Sequence, residues 1–438
     1  MNALLDAPTT PLDWRTLDED RRAAVLARPT LDRGALESGV ADILETVRRE
    51  GDQALRQYAA RFDQVDIDTL VVHRDELAGA AERIEPGLMQ AIEQSAARIR
   101  AFHEAGAPRP FAHDTAAGLT CQARYLPISP VGLYVPGGSA PLISTVMMLS
   151  IPAAIAGCEN VVLCTPPGPD GAIDPALLAA AWHCRVQHVV RAGGAQAIAA
   201  MAFGTESVPA CAKLYGPGNA WVTEAKRQVS AMPGGAAQDL PAGPSEVLVI
   251  ADGGADPGAV AWDLLSQAEH GADSQAVLLS DDDALLTAVA EVLPKLAAST
   301  RRAGILEDAL NHLRLIRVGD TREAIVVSNR YAPEHLIVNT ADADDLLADV
   351  TAAGSVFLGR WTPESLGDYS SGTNHVLPTY GYARAYSGLS VTDFMRRMTV
   401  QRATREGLET AGRDAMRLAE AEGLDAHRMA VAWRLGER

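Results

Sequence analysis

From residue 131 onward, short runs of apolar and β-branched residues alternate with longer stretches of helical spacing, and this alternation limits the fold more than any other feature. The first series runs through strand VGLYV, loop PGGSAP, a helix to Gly157, strand NVVLC, helix DPALLAAAWHC, strand QHVVRAGG, helix AQAIAAMAFG, strand AKLYG and a helix near NAWVTEAKRQ. Strands that are apolar along their whole length, joined by helices, predict a parallel sheet covered on both faces. GGAAQDLPAGPS, residues 234–245, is rich in Gly, Ala and Pro and reads as a boundary. A second series follows it: EVLVIA, a helix ending in SQAEHG, QAVLLS, DDALLTAVAEVLPKLA, a helix near TREAIVVSNRY, HLIVNT, DADDLLADVTAAG and SVFLG.

Residues 15–106 read mostly as helix, since LESGVADILETVRREGDQALRQYAARF and ELAGAAERIEPGLMQAIEQSAARIRAFHEA place apolar residues at a 3.6-residue period. From about 389 the chain reads as helices with little sheet, too short and polar for a core of its own, so it must dock on another domain or subunit.

Charge narrows the class of ligand. With 38 Lys and Arg against 56 Asp and Glu, the net charge is −18, which disfavours a nucleic-acid backbone or an anionic membrane and points to a small-molecule substrate. At 438 residues there is room for two or three domains. The N-terminus lacks the basic start and apolar core of a signal peptide, and Ser144, Thr145, Ser150 and Pro152 interrupt the most apolar run, LISTVMMLSIPAAIAGC. Cys121, Cys158, Cys164, Cys184 and Cys211 form an odd set without a CxxC pair, which argues for a reducing, cytoplasmic setting and against a thiolate zinc site.

An α/β chain invites a dinucleotide, yet no GxGxxG follows any strand. Instead YVPGGSAP, GGAQAIA and YGPGNAW stand at strand C-terminal ends, where glycine lets a phosphate approach the backbone and the next helix offers free N–H groups. The competing reading is that these glycines only make tight turns.

Four further stretches carry chemistry-bearing side chains. In SQAEHG, Gln267 and His270 stand at i, i+3 and share a helix face, as a metal site requires. The same residues, followed by Gly271, also make an ordinary helix C-terminus. In YAPEHL, Glu334 and His335 precede an apolar strand; an imidazole suits a general base and a carboxylate suits activation of water, although taken alone the motif reads better as a helix cap or strand end. In ESLGDYSSGTNHVLPTYGYAR, Asp368 and His375 lie in a long irregular segment. In AEAEGLDAHRMA, Gly423 ends one helix and Asp425 reads as the N-cap of the next, setting Glu422 and His427 around one corner. Taken alone, the last two stretches read as solvated surface.

Together these stretches closely resemble the histidinol dehydrogenase family, from VGLYVPGGSAP to AHRMA, through GGAQAIAA, YGPGNAWVTEAKRQVS, LPAGPSEVLVIAD, LLSQAEHGADSQ, YAPEHLI, AGSVFLG and DYSSGTNHVLPTYGYAR. The resemblance implies oxidation of L-histidinol to L-histidine through the aldehyde in two NAD-dependent steps, the last of histidine biosynthesis, with one zinc ion per subunit. Carried over motif by motif, it makes Gln267, His270, Asp368 and His427 the zinc ligands, His427 coming from the partner subunit of a homodimer. His335 becomes the general base and Glu334 the activator of water. Substrate contacts become Ser245, Gln267, His270, His335, Asp368, Glu422 and His427, with His375 a further candidate, and NAD contacts become Tyr134, Gln196 and Asn219.

The expected fold is α/β: two tandem Rossmann-like parallel-sheet domains of degenerate nucleotide type, with helical N- and C-terminal extensions. The boundaries expected are 1–29 for an N-terminal helical extension, 30–133 with 246–388 for a first α/β domain holding the zinc and catalytic residues, 134–245 for a second domain with the NAD contacts, and 389–438 for a helical tail exchanged with the partner. Rival readings are a cysteine-dependent aldehyde dehydrogenase, a zinc and NAD enzyme acting on another amino alcohol, and a non-catalytic binding module.

Overall fold

The computed structural model describes residues 10–29, 33–137, 141–241 and 243–437. Residues 138–140 of YVPGGSAP and residue 242 of LPAGPSEVLVIAD lie outside the described residues.

Among the described residues the strands form three sheets. The first has six parallel strands in the order Leu12–Asp13, Arg314–Arg317, Gln275–Ser280, Glu246–Ala251, His335–Asn339, Ser355–Leu358. The second has five parallel strands in the order His188–Arg191, Val161–Thr165, Val131–Tyr134, Lys213–Tyr215, Ala237–Gln238. Every residue of Glu246–Ala251, Gln275–Ser280 and His335–Asn339 is buried, as the continuous apolar runs require of strands with helices on both faces. The two parallel sheets expected from the alternation are thus present.

In both sheets the order in which strands are added reverses at a central strand. Val131–Tyr134 sits between strands that follow it on either side, Val161–Thr165 and Lys213–Tyr215, and Glu246–Ala251 likewise lies between Gln275–Ser280 and His335–Asn339. Such switch points open a crevice between diverging connections. At the first, Gly216 (φ +118°) lets strand Lys213–Tyr215 end against its neighbour, because a Cβ there would lie 2.1 Å from the Tyr134 carbonyl oxygen.

The third sheet is antiparallel, Met395–Ala403 against Leu119–Pro127 against Phe111–Ala116. It corrects the expectation that the stretch from 389 has little sheet. Met395–Ala403 pairs along nine residues, and only then come the helices Arg405–Ala421 and Asp425–Leu435. At the corner between them Gly423 is left-handed (φ +71°) as expected, but Leu424 is the N-cap and Asp425 the first helical residue.

The N-terminal helices are where the sequence placed them, but they cover a different sheet. Val40, Ile43, Leu44 and Leu55 pack with Val162, Cys164 and Val190, and Ile92, Ala96 and Ile99 pack with Val131 and Leu133. Residues 33–105 therefore coat the five-stranded sheet, whereas the sequence suggests grouping 30–133 with the 246–388 unit. Conversely, the first described residues are more than a helical extension: Leu12–Asp13 is the edge strand of the six-stranded sheet, and Trp14, Leu17 and Val25 pack with Leu248, Ile250 and Val277 of that sheet. The apolar run read as a buried helix forms Ile143–Ala156, and no described helix is long and apolar enough to cross a membrane.

Candidate active site

The helix Pro257–Ala268 starts with Asp256 accepting from the Ala259 N–H at 2.8 Å and ends just after Gln267, so SQAEHG is indeed a helix terminus. It is also more than that. Gln267 is fully buried, and its amide donates to Glu334 Oε2 at 3.3 Å while its own Oε1 has no hydrogen-bond partner.

Glu334 reaches the same place from the turn before strand His335–Asn339. Ala332 is left-handed (φ +55°), and the chain then enters the strand with Glu334 just outside it. This irregular entry lets two adjacent side chains serve one site, which a regular strand would forbid. Glu334 Oε2 also accepts from the Glu246 N–H at 2.8 Å and lies 3.7 Å from His335 Nδ1. His335 Nδ1 is 3.2 Å from the Glu246 carbonyl oxygen, a contact that places the proton on Nδ1. Nε2 is the nitrogen turned to the interior of the cluster. It is buried without a hydrogen-bond partner, 3.6 Å from Asp368 Oδ1.

Asp368 lies on the short helix Glu364–Tyr369, one turn after Glu364. Ligand atoms of His335, Glu364 and Asp368 all fall within 4.8 Å of one another, and Glu364 Oε2 and Asp368 Oδ1 have no hydrogen-bond partner. Three carboxyl groups thus meet one imidazole in the interior. Burial pushes Glu334 up to about 8 and Glu364 well above the usual range. Burial alone would lower His335, but the Glu364, Glu334 and Asp368 charges lift it to about 10. Burial also works against ionised Asp368, yet its contact with His335 and the nearby histidine charges hold it at about 2. The crowding of three carboxyl groups and the four orphaned polar atoms, Gln267 Oε1, His335 Nε2, Glu364 Oε2 and Asp368 Oδ1, fit a bound cation.

The segment after Asp368 runs from this cluster to the other sheet. His375 sets Nδ1 against the Asp368 carbonyl oxygen at 3.0 Å and Nε2 against Thr145 Oγ1 at 3.2 Å, and Asn374 donates to the Met148 carbonyl oxygen at 2.8 Å. Thr145 and Met148 belong to the helix that follows strand Val131–Tyr134, whose C-terminal end opens onto a cavity of about 650 Å³. Tyr134, Gln196 and Asn219 all line it. The Tyr134 hydroxyl accepts from the Gly194 N–H at 3.0 Å, and Asn219 caps helix Ala220–Ala231 by accepting from the Trp221 and Val222 N–H groups at 3.1 and 3.2 Å.

The family model for histidinol dehydrogenase matches residues 26–435. A histidinol dehydrogenase of Xanthomonas campestris pv. campestris is 55% identical over 97% of this chain and 99% of its own length, and one of Escherichia coli is 51% identical over 97% and 98%. The crystal structure of histidinol dehydrogenase from Elizabethkingia anophelis superposes with a TM-score of 0.92 at 43% identity, covering 96% of both chains. The chain belongs to the histidinol dehydrogenase family. It is an oxidoreductase.

Within that histidinol dehydrogenase fold, the residues singled out from sequence divide into three groups. Gln267, Glu334, His335 and Asp368 converge in the interior, with His375 in contact beside them. His270 follows two residues after its helix. It is open to solvent, yet the surrounding chain desolvates its imidazole enough to hold it down at about 4. Ser245, half-buried, immediately precedes strand Glu246–Ala251. Glu422 and His427 are exposed on the closing helices, and the described chain brings neither into the cluster.

Of the four zinc ligands carried over, only Asp368 belongs to the compact trio His335, Glu364 and Asp368. Glu364 escaped the sequence reading; the signal available was its i, i+4 spacing from Asp368. Glu246 escaped too, although its N–H and carbonyl hold both Glu334 and His335. No cysteine joins the site. All five are free, and burial pushes the thiols of Cys158, Cys184 and Cys211 up to about 11, 12 and 12, and that of Cys164 higher still.

Proposed function

We propose that the chain oxidises L-histidinol to L-histidine through the enclosed aldehyde, using NAD and zinc. The carrying observation is the convergence of Glu334 and His335 with Gln267 and Asp368, joined through His375 to the helix beside the 650 Å³ cavity. When bound, NAD supplies a hydride acceptor for each oxidation and zinc a Lewis-acidic anchor for the substrate.

With a cation bound among the carboxyl groups, the charges that lift His335 are offset and Nε2 is free; His335, still protonated on Nδ1, then takes the hydroxyl proton there as the carbinol hydride passes to NAD. Glu334, ionised once such a cation is bound, then takes a proton from the water that adds to the aldehyde carbon; the second hydride passes to a second NAD, and the acid so formed gives its proton to solvent to become the carboxylate. The wall of buried residues around the pair keeps the amino aldehyde from escaping between steps. Tyr134, Gln196 and Asn219 hold the dinucleotide, and Ser245, Gln267, His270, His335, Asp368, Glu422 and His427 surround the substrate. Gln267, His270, Asp368 and a second copy's His427 hold the zinc; the orphaned Gln267 Oε1 and Asp368 Oδ1 support that set. Nε2 of His335 and Glu364 lie near Asp368 and favour a second reading, in which they share in holding the cation.

Exposed apolar side chains on the closing helices, Leu418 at 65% and Leu424 at 42%, and Trp361 at 86% near Glu364, support a homodimer that brings Glu422 and His427 to the other copy's cleft. Five free cysteines fit a reducing, cytoplasmic setting.

The test is NADH release from purified enzyme given limiting L-histidinol, beside enzyme stripped by a chelator and restored with zinc. Two NADH per histidinol, lost on stripping and regained with zinc, is expected. One NADH with released aldehyde would show that Glu334 is misassigned, and none from the zinc-replete enzyme would redirect the search to other amino alcohols.

A further inference from the structure

The cavity at the C-terminal end of Val131–Tyr134 has an acidic side chain that nothing above employs. Asp63 closes the π-helical turn Ala59–Asp63, lines the cavity, and has its Oδ2 buried without a hydrogen-bond partner. It is close to the tyrosine read as a dinucleotide contact: burial pushes the Tyr134 phenol up to about 12, and the Asp63 charge adds to that rise. A buried carboxyl oxygen without a donor is destabilising, and the chain offers it none. A ligand hydroxyl would supply one.

The rest of the lining says which ligand. Among the described residues that line the cavity there is no Lys, Arg or His. The other carboxylate there, Asp174, is occupied in capping a helix through the Ala176 N–H at 2.8 Å. Arg61, on the same turn as Asp63, lies over the Phe62 ring at 5.1 Å from its centroid and does not line the cavity. An additional phosphate on the ribose would therefore meet a carboxylate with no cation to offset it, whereas a free ribose hydroxyl would meet an acceptor in need of a donor.

We propose that Asp63 is the specificity-determining residue for the dinucleotide: its carboxylate accepts a hydrogen bond from the 2′-hydroxyl of the adenosine ribose and turns away the 2′-phosphorylated form. The proposal rests on the reading that NAD occupies this cavity. It is tested by calorimetric titration, without histidinol, of wild type, Asp63→Ala and Asp63→Ser with NAD, with NADP and with the 2′-deoxy analogue of NAD.

Loss of a hydrogen bond to a charged acceptor predicts that either substitution weakens NAD by about 10- to 100-fold and leaves NADP unchanged or tighter. Wild type should lose a similar factor with the 2′-deoxy analogue, an arm that needs no variant to fold. The substituted proteins should no longer distinguish that analogue from NAD. Equal losses for NAD and NADP would make Asp63 a structural residue and overturn the proposal, as would a 2′-deoxy analogue that wild type binds as tightly as NAD. Wild type that binds no NAD, or a Gln196→Ala variant that binds it unimpaired, would instead remove the reading of the cavity on which the proposal stands.

Discussion

Gln267 donates its side-chain amide to Glu334 Oε2 across 3.3 Å, tying the end of a helix to the turn before a strand. Glu334 is thereby held by two donors on one oxygen, the Glu246 N–H being the other. The amide orientation that makes this bond leaves Gln267 Oε1 free for a ligand. One glutamine therefore positions the carboxylate and, on the proposed reading, has an oxygen left to hold a cation.

Glu334→Gln separates the two oxidations. The substitution keeps the shape of the side chain and removes the proton acceptor. The second NADH should slow by about 10²- to 10⁴-fold while the first, which depends on His335, changes little. Single-turnover absorbance at limiting histidinol reads both; equal slowing of the two phases would assign Glu334 to positioning alone.

Mixing experiments locate His427. Glu334→Gln and His427→Ala variants, each inactive alone, should regain about a quarter of wild-type turnover once unfolded together and refolded. Half of randomly assorted dimers are then mixed, and each has one intact shared site. Mixtures that stay inactive at the same dimer content would place His427 outside a shared site.

Zinc should stabilise as well as activate. Gln267 Oε1, His335 Nε2, Glu364 Oε2 and Asp368 Oδ1 all lack hydrogen-bond partners, and a cation satisfies such groups only in the folded chain. At a hundredfold excess over the dissociation constant the gain is about 2.7 kcal/mol, visible as a rise in Tm when zinc is added back to stripped enzyme. In Asp368→Asn that rise should shrink. A melting curve indifferent to zinc would count against any ligand set built on this cluster.

Asp52 gives a prediction remote from catalysis. This buried carboxylate joins the start of helix Asp52–Tyr58 to the loop after helix Gly194–Phe203, accepting from Thr205 Oγ1 at 2.6 Å, the Ser207 N–H at 3.2 Å and Ser207 Oγ. Burial works to raise its carboxyl, but the Ser207 and Thr205 donors outweigh that and hold it below the ordinary value. Asp52→Ala should cost about 1–3 kcal/mol in urea unfolding at neutral pH. A folded-state value below the unfolded one means that part of this stabilisation is complete above the unfolded carboxyl's pKa of about 3.9 and fades as pH falls through the folded value. The gap between wild type and variant should therefore be flat from pH 7 to 5 and narrow only in stronger acid; a gap that narrows between pH 7 and 5 would point to another group.

Much of this architecture was legible because buried parallel strands have no polar face, so EVLVIA, QAVLLS and HLIVNT announce themselves. Strands Phe111–Ala116 and Met395–Ala403 did not, since FAHDTA and MRRMTVQRA mix polar and charged residues and remain largely exposed. The amphipathic helices of 33–105 declared their periodicity but not which sheet they would cover, because an apolar stripe carries no address. In the site, paired motifs such as SQAEHG and YAPEHL were visible. Glu246 was not, since it acts on Glu334 and His335 through its backbone, and backbone groups are the same for every residue. Asp63 had no motif around it; only the cavity gives it meaning.

The edge strand Leu12–Asp13 pairs with Arg314–Arg317, and Arg28 binds Glu246 at 2.5 Å, so the six-stranded sheet is built from chain on both sides of a long insertion. During synthesis this has an order in time. The five-stranded sheet, with all its strands between residues 131 and 238, can close while the ribosome is still extending the chain. The first strand must wait with its backbone groups unpaired until residues some three hundred positions later emerge. Contacts of such sequence separation are slow to form, and the waiting edge is the part of the nascent chain most open to misassembly and to chaperones.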